Sequence, residues 1–189
     1  MIYDDLNLPP PPHPEFNLQD QTVLELGAQQ ALIRQGDISH SIYWLEKGLV
    51  RAVFSDDFGK EFTKEFFWEG DIIFQPRSLL TGEPLPYSML TLEVCRYRQL
   101  SIERYLQFVQ TDPQWQQYHQ RMLTLHLINK ERKEEFLLLN SPEKRVIRFN
   151  KNFPWLIKRV PDYILASYLG MTAISYSRIK KRLRLSSTS

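Results

Sequence analysis

The stretch DYILASYLGMTAISYSRIKKRL, residues 162–183, holds two apolar-periodic helical segments with almost nothing between them. Pro161 opens the first, and Ile164, Leu165, Ala166 and Leu169 mark its apolar side. Gly170 stops it, because glycine alone enters the left-handed region without steric cost. Thr172 offers a capping hydroxyl for the second segment. There Ile174, Tyr176, Ile179 and Leu183 alternate with Ser175, Ser177, Arg178, Lys180 and Lys181. Two helices joined by so short a turn cross closely and need a small residue on the first, four positions before the turn glycine. Ala166 and Gly170 fill those two positions, and Leu165, Leu169, Met171, Tyr176 and Ile179 supply the contacts between the helices. This is the pattern of a helix-turn-helix.

Working back along the chain, Ser141-Pro142-Glu143 reads as the start of another helix: a capping hydroxyl, a proline in the first turn, and an acid facing the positive dipole end. Val146, Ile147 and Phe149 are its apolar positions, and Asn152 and Pro154 mark its end. Before it, residues 113–139 lack glycine and interior proline, which predicts one long helix. Trp115, Tyr118, Met122, Leu125, Asn129, Arg132, Phe136 and Leu139 alternate spacings of three and four along it. That is a heptad seam suited to pairing two copies of the chain, with Asn129 in the register that fixes a parallel two-stranded arrangement. The same helix can also pack on its own chain, since Leu123 and Leu127 offer a second apolar stripe.

From residue 22 to 101 the period is two. VLELGAQQALIRQGD, SIYWLEKGLVRAVF, KEFTKEFFWEGD and YSMLTLEVCRYRQL read as strands. Gly36-Asp37, Lys47-Gly48, Gly59-Lys60 and Gly70-Asp71 provide the turns. Short, evenly spaced strands of this kind predict an antiparallel barrel or jelly roll. The proline-rich residues 75–86 read as a loop with one helical turn near residues 78–80. The fold class is therefore α+β: an N-terminal barrel or jelly roll over 1–112, a long dimerisation helix over 113–140, and a helix-turn-helix domain over 141–189.

Composition agrees with a soluble globular chain, at 42% apolar and 24% charged residues over 189 positions. No apolar run approaches a membrane span, and the acidic, proline-rich MIYDDLNLPPPPHPEF is unlike a signal peptide. A cytoplasmic protein without membrane contact is expected. Cys95 stands alone and reads as a small buried hydrophobe in a strand. The net charge of +2 conceals an asymmetry, since residues 143–189 carry eleven Lys or Arg against Glu143 and Asp162 only, and the remainder is net −7. The basic segment is a candidate surface for phosphates.

Taken together, the glycine-marked strands, the long helix, SPEKR, RVPDYILASYLGMT and SRIKKRL resemble the Crp/Fnr transcription regulators over roughly residues 20–185. RQGD (34–37), SIYWLEKGLVRAV (41–53) and WEGDII (68–73) match the turns of cyclic-nucleotide-binding domains. LASYLGMTAISYSRIKKRL (165–183) is the more specific signal. The resemblance implies a homodimer that binds double-stranded DNA on a near-palindromic site under the control of its barrel, with RNA polymerase a further candidate partner.

The resemblance fails at two sets of positions. In ligand-binding relatives a glycine and a glutamate hold the ribose, and an arginine with a neighbouring serine holds the cyclic phosphate. Here the first two align with Phe74 and Gln75, and the arginine position falls within Leu85-Pro86-Tyr87. Ser88 remains as the hydroxyl and Arg77 as the one cation of the loop, so Phe74, Gln75, Arg77 and Ser88 outline a candidate effector pocket. A buried phosphate without a compensating cation is costly, so cAMP and cGMP are not expected and no cofactor is assigned. On the reading helix, a glutamate common in relatives aligns with Ile174, or with Ala173 if the alignment slips by one, and Ile174 is left either to meet a thymine methyl or to pack inward. Arg178 matches a base-contacting arginine, able to bond guanine or else a phosphate, Ser175 and Ser177 suit base or phosphate hydrogen bonds, and Thr172, Lys180 and Lys181 are expected on the DNA backbone. Only six residues follow Leu183, so a full wing is not expected.

Other chemistries find no support. One cysteine cannot hold an iron–sulfur cluster, His40, His119 and His126 read as ordinary surface or core residues, and no His-x-His pair suggests a cupin metal site. No catalytic spacing of Ser, His and Asp is present, and an enzyme is not expected. The alternative reading is a ligand-sensing barrel whose C-terminal helices dock a protein rather than DNA. A regulator without an effector, governed by its abundance, is the third.

Overall fold

The computed structural model describes residues 22–186, with side chains described through residue 183. The proline-rich start and the last three residues lie outside the described residues. Eight strands precede the helical half: β1 (Leu24–Leu26), β2 (Ala31–Ile33), β3 (Ser41–Lys47), β4 (Val50–Ser55), β5 (Glu61–Phe67), β6 (Ile72–Ile73), β7 (Ser88–Thr91) and β8 (Cys95–Ser101). They form two four-stranded antiparallel sheets, in the orders β1-β8-β3-β6 and β2-β7-β4-β5. Of the two architectures expected, this is the two-sheet jelly roll rather than a closed barrel. Period-two patterning puts Leu45, Ile73 and Cys95 of one sheet against Val50, Ala52 and Met89 of the other. Cys95 is buried there, and burial pushes its thiol up to about 11.

Gly48 joins β3 to β4 at φ 104°, and a Cβ there would stand 2.6 Å from Cys95 Sγ and 2.7 Å from the Val94 carbonyl oxygen. The turn needs glycine for its conformation and for its room. The proline-rich loop contains a full short helix, α1 (Pro76–Thr81), and not a single turn. A helix absent from the sequence reading, α2 (Ile102–Thr111), follows β8, capped by Ser101, whose hydroxyl accepts from Arg104 N at 3.3 Å.

The long helix α3 (Pro113–Leu139) occupies the expected span, with Asp112 accepting from Gln114 N at 2.8 Å as its cap. Part of its predicted seam, however, faces its own chain, while Leu139 at the far end is exposed. Trp115, Tyr118 and Met122 pack with Phe74, Leu79, Leu100 and Tyr105, and Phe136 joins the C-terminal core. Leu125 and Asn129 are half-buried, whereas Leu127 is 68% exposed. The second stripe, expected to face inward, therefore presents Leu127 outward.

Four helices complete the chain: α4 (Pro142–Asn152), α5 (Leu156–Arg159), α6 (Asp162–Tyr168) and α7 (Ala173–Ser186). Ser141 caps α4 as its sequence position predicts, accepting from Lys144 N at 3.4 Å. Among the described residues no helix is long and apolar enough to cross a membrane, and no cluster of His, Cys, Asp and Glu could hold a metal ion.

The helical half does not stand apart from the roll. Leu49 and Phe66 of the roll share one core with Val146, Phe149, Phe153, Leu165 and Tyr168. At its edge the Tyr168 hydroxyl donates to Glu65 Oε1 at 3.0 Å, and Lys133 Nζ lies 3.9 Å over the Tyr168 ring while donating to the Lys64 carbonyl. The Ser167 hydroxyl accepts from Thr63 N at 2.8 Å. Farther along, Arg159 Nη2 reaches Glu69 at 2.7 Å and Glu93 at 2.6 Å, beside the edge-on pair of Trp68 and Trp155.

Burial raises the Glu65 carboxyl, but nearby positive charge, that of Lys133 foremost, outweighs it and holds the group down at about 2. Burial, then Lys130 and Lys64, lower His126 from 6.5 to about 4. Both groups take up protons more readily in the unfolded chain, so both favour the fold at neutral pH. The His126 contribution is complete above 6.5 and lost on descent towards 4; that of Glu65 is complete above 4.5 and lost towards 2. The urea midpoint is therefore expected to fall steadily from pH 7 to pH 4. In His126→Gln the upper part of that fall should flatten, as measured by denaturation at a series of pH values.

Candidate nucleic-acid interface

The turn between α6 and α7 is a Schellman motif, with Gly170 N bonding the Ser167 carbonyl at 3.1 Å and Met171 N the Ala166 carbonyl at 3.0 Å. Gly170 has φ 68°, as its place after the helix demands. Ala166 is fully buried with Leu165, Leu169 and Tyr176, so the close crossing that calls for a small residue is present. Thr172 Oγ1 accepts from Ser175 N at 3.1 Å and donates to Ser175 Oγ at 3.0 Å, which starts α7 where the sequence places it.

One contributor left no signal in the sequence. Arg145 of α4 donates from Nη1 to the carbonyls of Leu169 and Gly170, and from Nε to that of Asn140 at 3.1 Å. A cation on α4 thus holds the carbonyl end of α6, where the dipole is negative.

Tyr176, Ile179 and Leu183 turn α7 inward. On the opposite side Ile174, Ser177, Arg178 and Lys181 are exposed and spaced by three, four and seven residues, so they form one outward stripe. Thr172 and Ser175 are exposed beside it, although both hydroxyls serve the cap. Lys180 is placed differently from the sequence expectation: its Nζ lies 2.7 Å from both carboxylate oxygens of Asp162, tying α7 to α6. Arg182 pairs with Glu143 at 2.9 Å. With Arg145 on the turn, Arg148 on Asn140 and Arg159 on Glu69 and Glu93, much of the charge of the basic segment holds the fold together. Among the described residues, Arg178 and Lys181 are the cations of the outward stripe.

Each of the four residues expected to outline an effector pocket is engaged within the fold. Phe74 is buried with Tyr105 and His119, ring centroids 6.4 and 6.2 Å away. Gln75 is buried, its Oε1 accepting from the Ser39 hydroxyl at 3.1 Å and its Nε2 meeting Met89 Sδ at 3.2 Å. Arg77 is exposed and paired with Glu83 at 2.6 Å. Ser88 Oγ accepts from Gln35 N at 2.9 Å. The aromatic and amide groups thus fill space, and the loop cation points to solvent.

Residues 23–112 match the family described as the cyclic nucleotide-binding domain. The chain is similar to the cAMP-activated global transcriptional regulator CRP of Salmonella typhimurium and of Klebsiella aerogenes, at 24% identity over 86 residues. That region is 46% of this chain and spans 41% of the length of those relatives. Among solved structures, the c-di-GMP-responsive global regulator CLP of Xanthomonas campestris aligns with TM-score 0.74 and 20% identity, covering 92% of this chain and 91% of that one. FixK2 of Bradyrhizobium japonicum gives 0.77 and 16%, covering 88% and 86%. The catabolite activator protein of Thermus thermophilus gives 0.55 and 19%, covering 92% and 83%.

The turn yields a direct test. Gly170→Ala introduces a side chain into the left-handed region, at a cost of about 1–2 kcal/mol, and brings a Cβ to 2.9 Å from Arg145 Nη1. Gly170→Asn, which tolerates that conformation better, is expected to lose less. Chemical denaturation of the two variants against wild type measures the difference.

Proposed function

We propose that the chain, which matches the cyclic nucleotide-binding domain over residues 23–112 and shares its fold with CLP and FixK2, is a sequence-specific DNA-binding transcription regulator of the Crp/Fnr type. The observation that carries this reading is the outward stripe of α7, which offers Ser177, Arg178 and Lys181 on the face opposite the buried Tyr176 and Ile179. A helix presented in this way fits the major groove, where phosphate contacts position the protein and base contacts specify the site. Arg178 reads guanine through its two parallel donors. Lys181 meets phosphate; Ser177 bonds a base edge or a phosphate, and Thr172 and Ser175 lie at the groove entrance. Lys180 acts through Asp162, as a positioning residue within the motif.

The protein acts as a homodimer in this reading, and RNA polymerase is the further partner it calls for. With Trp115, Met122 and Phe136 facing inward, the pairing surface is the outward stripe of α3 that carries Leu127 and Leu138. Two copies then place two recognition helices in successive major grooves about 34 Å apart. Control by cAMP is not part of the proposal. The aligned ribose positions are filled by Phe74 and Gln75, Arg77 is exposed, and the core between the sheets is apolar at Tyr87 and Met89.

Selection from a randomised duplex pool tests the reading. Wild type is expected to enrich a two-fold symmetric site, and Arg178→Ala to lose one base-pair preference in each half at a cost of about 1–3 kcal/mol. Affinity for the selected site should fall steeply with salt, since each neutralised phosphate releases counterions. Absence of binding at low salt would overturn the reading and favour a protein partner for these helices.

A further inference from the structure

Among the residues whose side chains are described, Ile174 is the one apolar member of the outward stripe of α7, and no core contact accounts for it. Its side chain is 66% exposed and is absent from every core cluster, while Tyr176, Ile179, Met171 and Leu183 make the inward contacts. It lies in the first turn of α7 and precedes Arg178 by one helical turn, so the two project from the same face. Ser177 and Lys181 complete that face, and the exposed Ala173 beside Ile174 adds only a methyl group.

The N-terminal residues of a recognition helix are those that reach base edges. A branched aliphatic side chain there can neither donate nor accept a hydrogen bond. Against adenine, guanine or cytosine it would strip water from base-edge groups and leave them unpaired, which is penalised more heavily than a lost contact is rewarded. Thymine alone presents a methyl group in the major groove. Resting on the DNA-binding reading above, we propose that Ile174 is a specificity-determining residue that selects thymine in each half-site through its 5-methyl group, one helical turn from the base read by Arg178.

The test uses the full chain and the site it selects. Each thymine of one half-site is replaced in turn by deoxyuridine, which removes the methyl group and leaves every hydrogen-bonding atom in place. One such replacement is expected to weaken wild-type binding about fourfold, the effect of a single buried methyl-sized group. Ile174→Ala is expected to bind the unmodified site more weakly by a similar factor and to be indifferent to that same replacement. Pool selection with Ile174→Ala should relax the preference at that position and keep the Arg178-dependent one, which also shows that the variant is folded. If wild type binds its selected site but is indifferent to every deoxyuridine replacement, Ile174 does not read thymine and the DNA-binding reading stands. If the replacement weakens wild type and Ile174→Ala equally, the methyl group is read by another residue and the assignment falls. If wild type selects no site at all, both fall together.

Discussion

The Glu65 carboxylate is buried where β5, α3 and α6 meet, and the arrangement of the two halves depends on keeping it satisfied. A carboxylate taken out of water must find donors and opposite charge or the fold loses several kcal/mol. Tyr168 donates to it from the first helix of the helix-turn-helix, and Lys133 supplies charge from the long helix. Three elements from distant parts of the sequence are fixed by one ionised group. Phe66, the next residue along β5, carries the apolar contact with Tyr168, ring centroids 4.8 Å apart.

Charge is used in two ways across the chain. At the joint, and in the pairs of Arg159, Lys180 and Arg182, cations set the positions of helices relative to the roll and to each other. On the outward face of α7 they are presented to solvent. A bare count of basic residues merges these roles, because Lys180 and Lys181 are neighbours in sequence and point to opposite duties in space.

The elements most legible in the sequence are those governed by local rules. The Gly170 turn, the Thr172 and Ser141 caps and the full span of α3 follow from steric and hydrogen-bonding preferences acting over a few residues. The two-sheet roll is likewise written in period-two patterning. What sequence could not give were the partners of α3 and the location of the effector-pocket residues, because both depend on contacts between distant segments. The heptad spacing of Trp115, Met122 and Phe136 identifies an apolar stripe correctly but carries no information on whose surface covers it. Helix α2 was missed because a ten-residue segment next to a strand end has too few repeats for its period to stand out. The candidate site was legible in its scaffold and in its exposed stripe; the Arg145 clamp and the Asp162–Lys180 pair, 18 positions apart, were not.

The shared core of roll and helices bears on how freely such a protein can be recombined. A helix-turn-helix joined to its neighbour by a loose tether can be transplanted onto a different partner with little consequence. Here excision of residues 141–189 would uncover Leu49 and Phe66, remove the hydroxyl donor from Glu65, and separate Glu69 and Glu93 from the arginine between them. A chimera carrying only these helices would therefore require the facing strand of the roll to travel with them, so the exchangeable unit is larger than the motif that first identifies it.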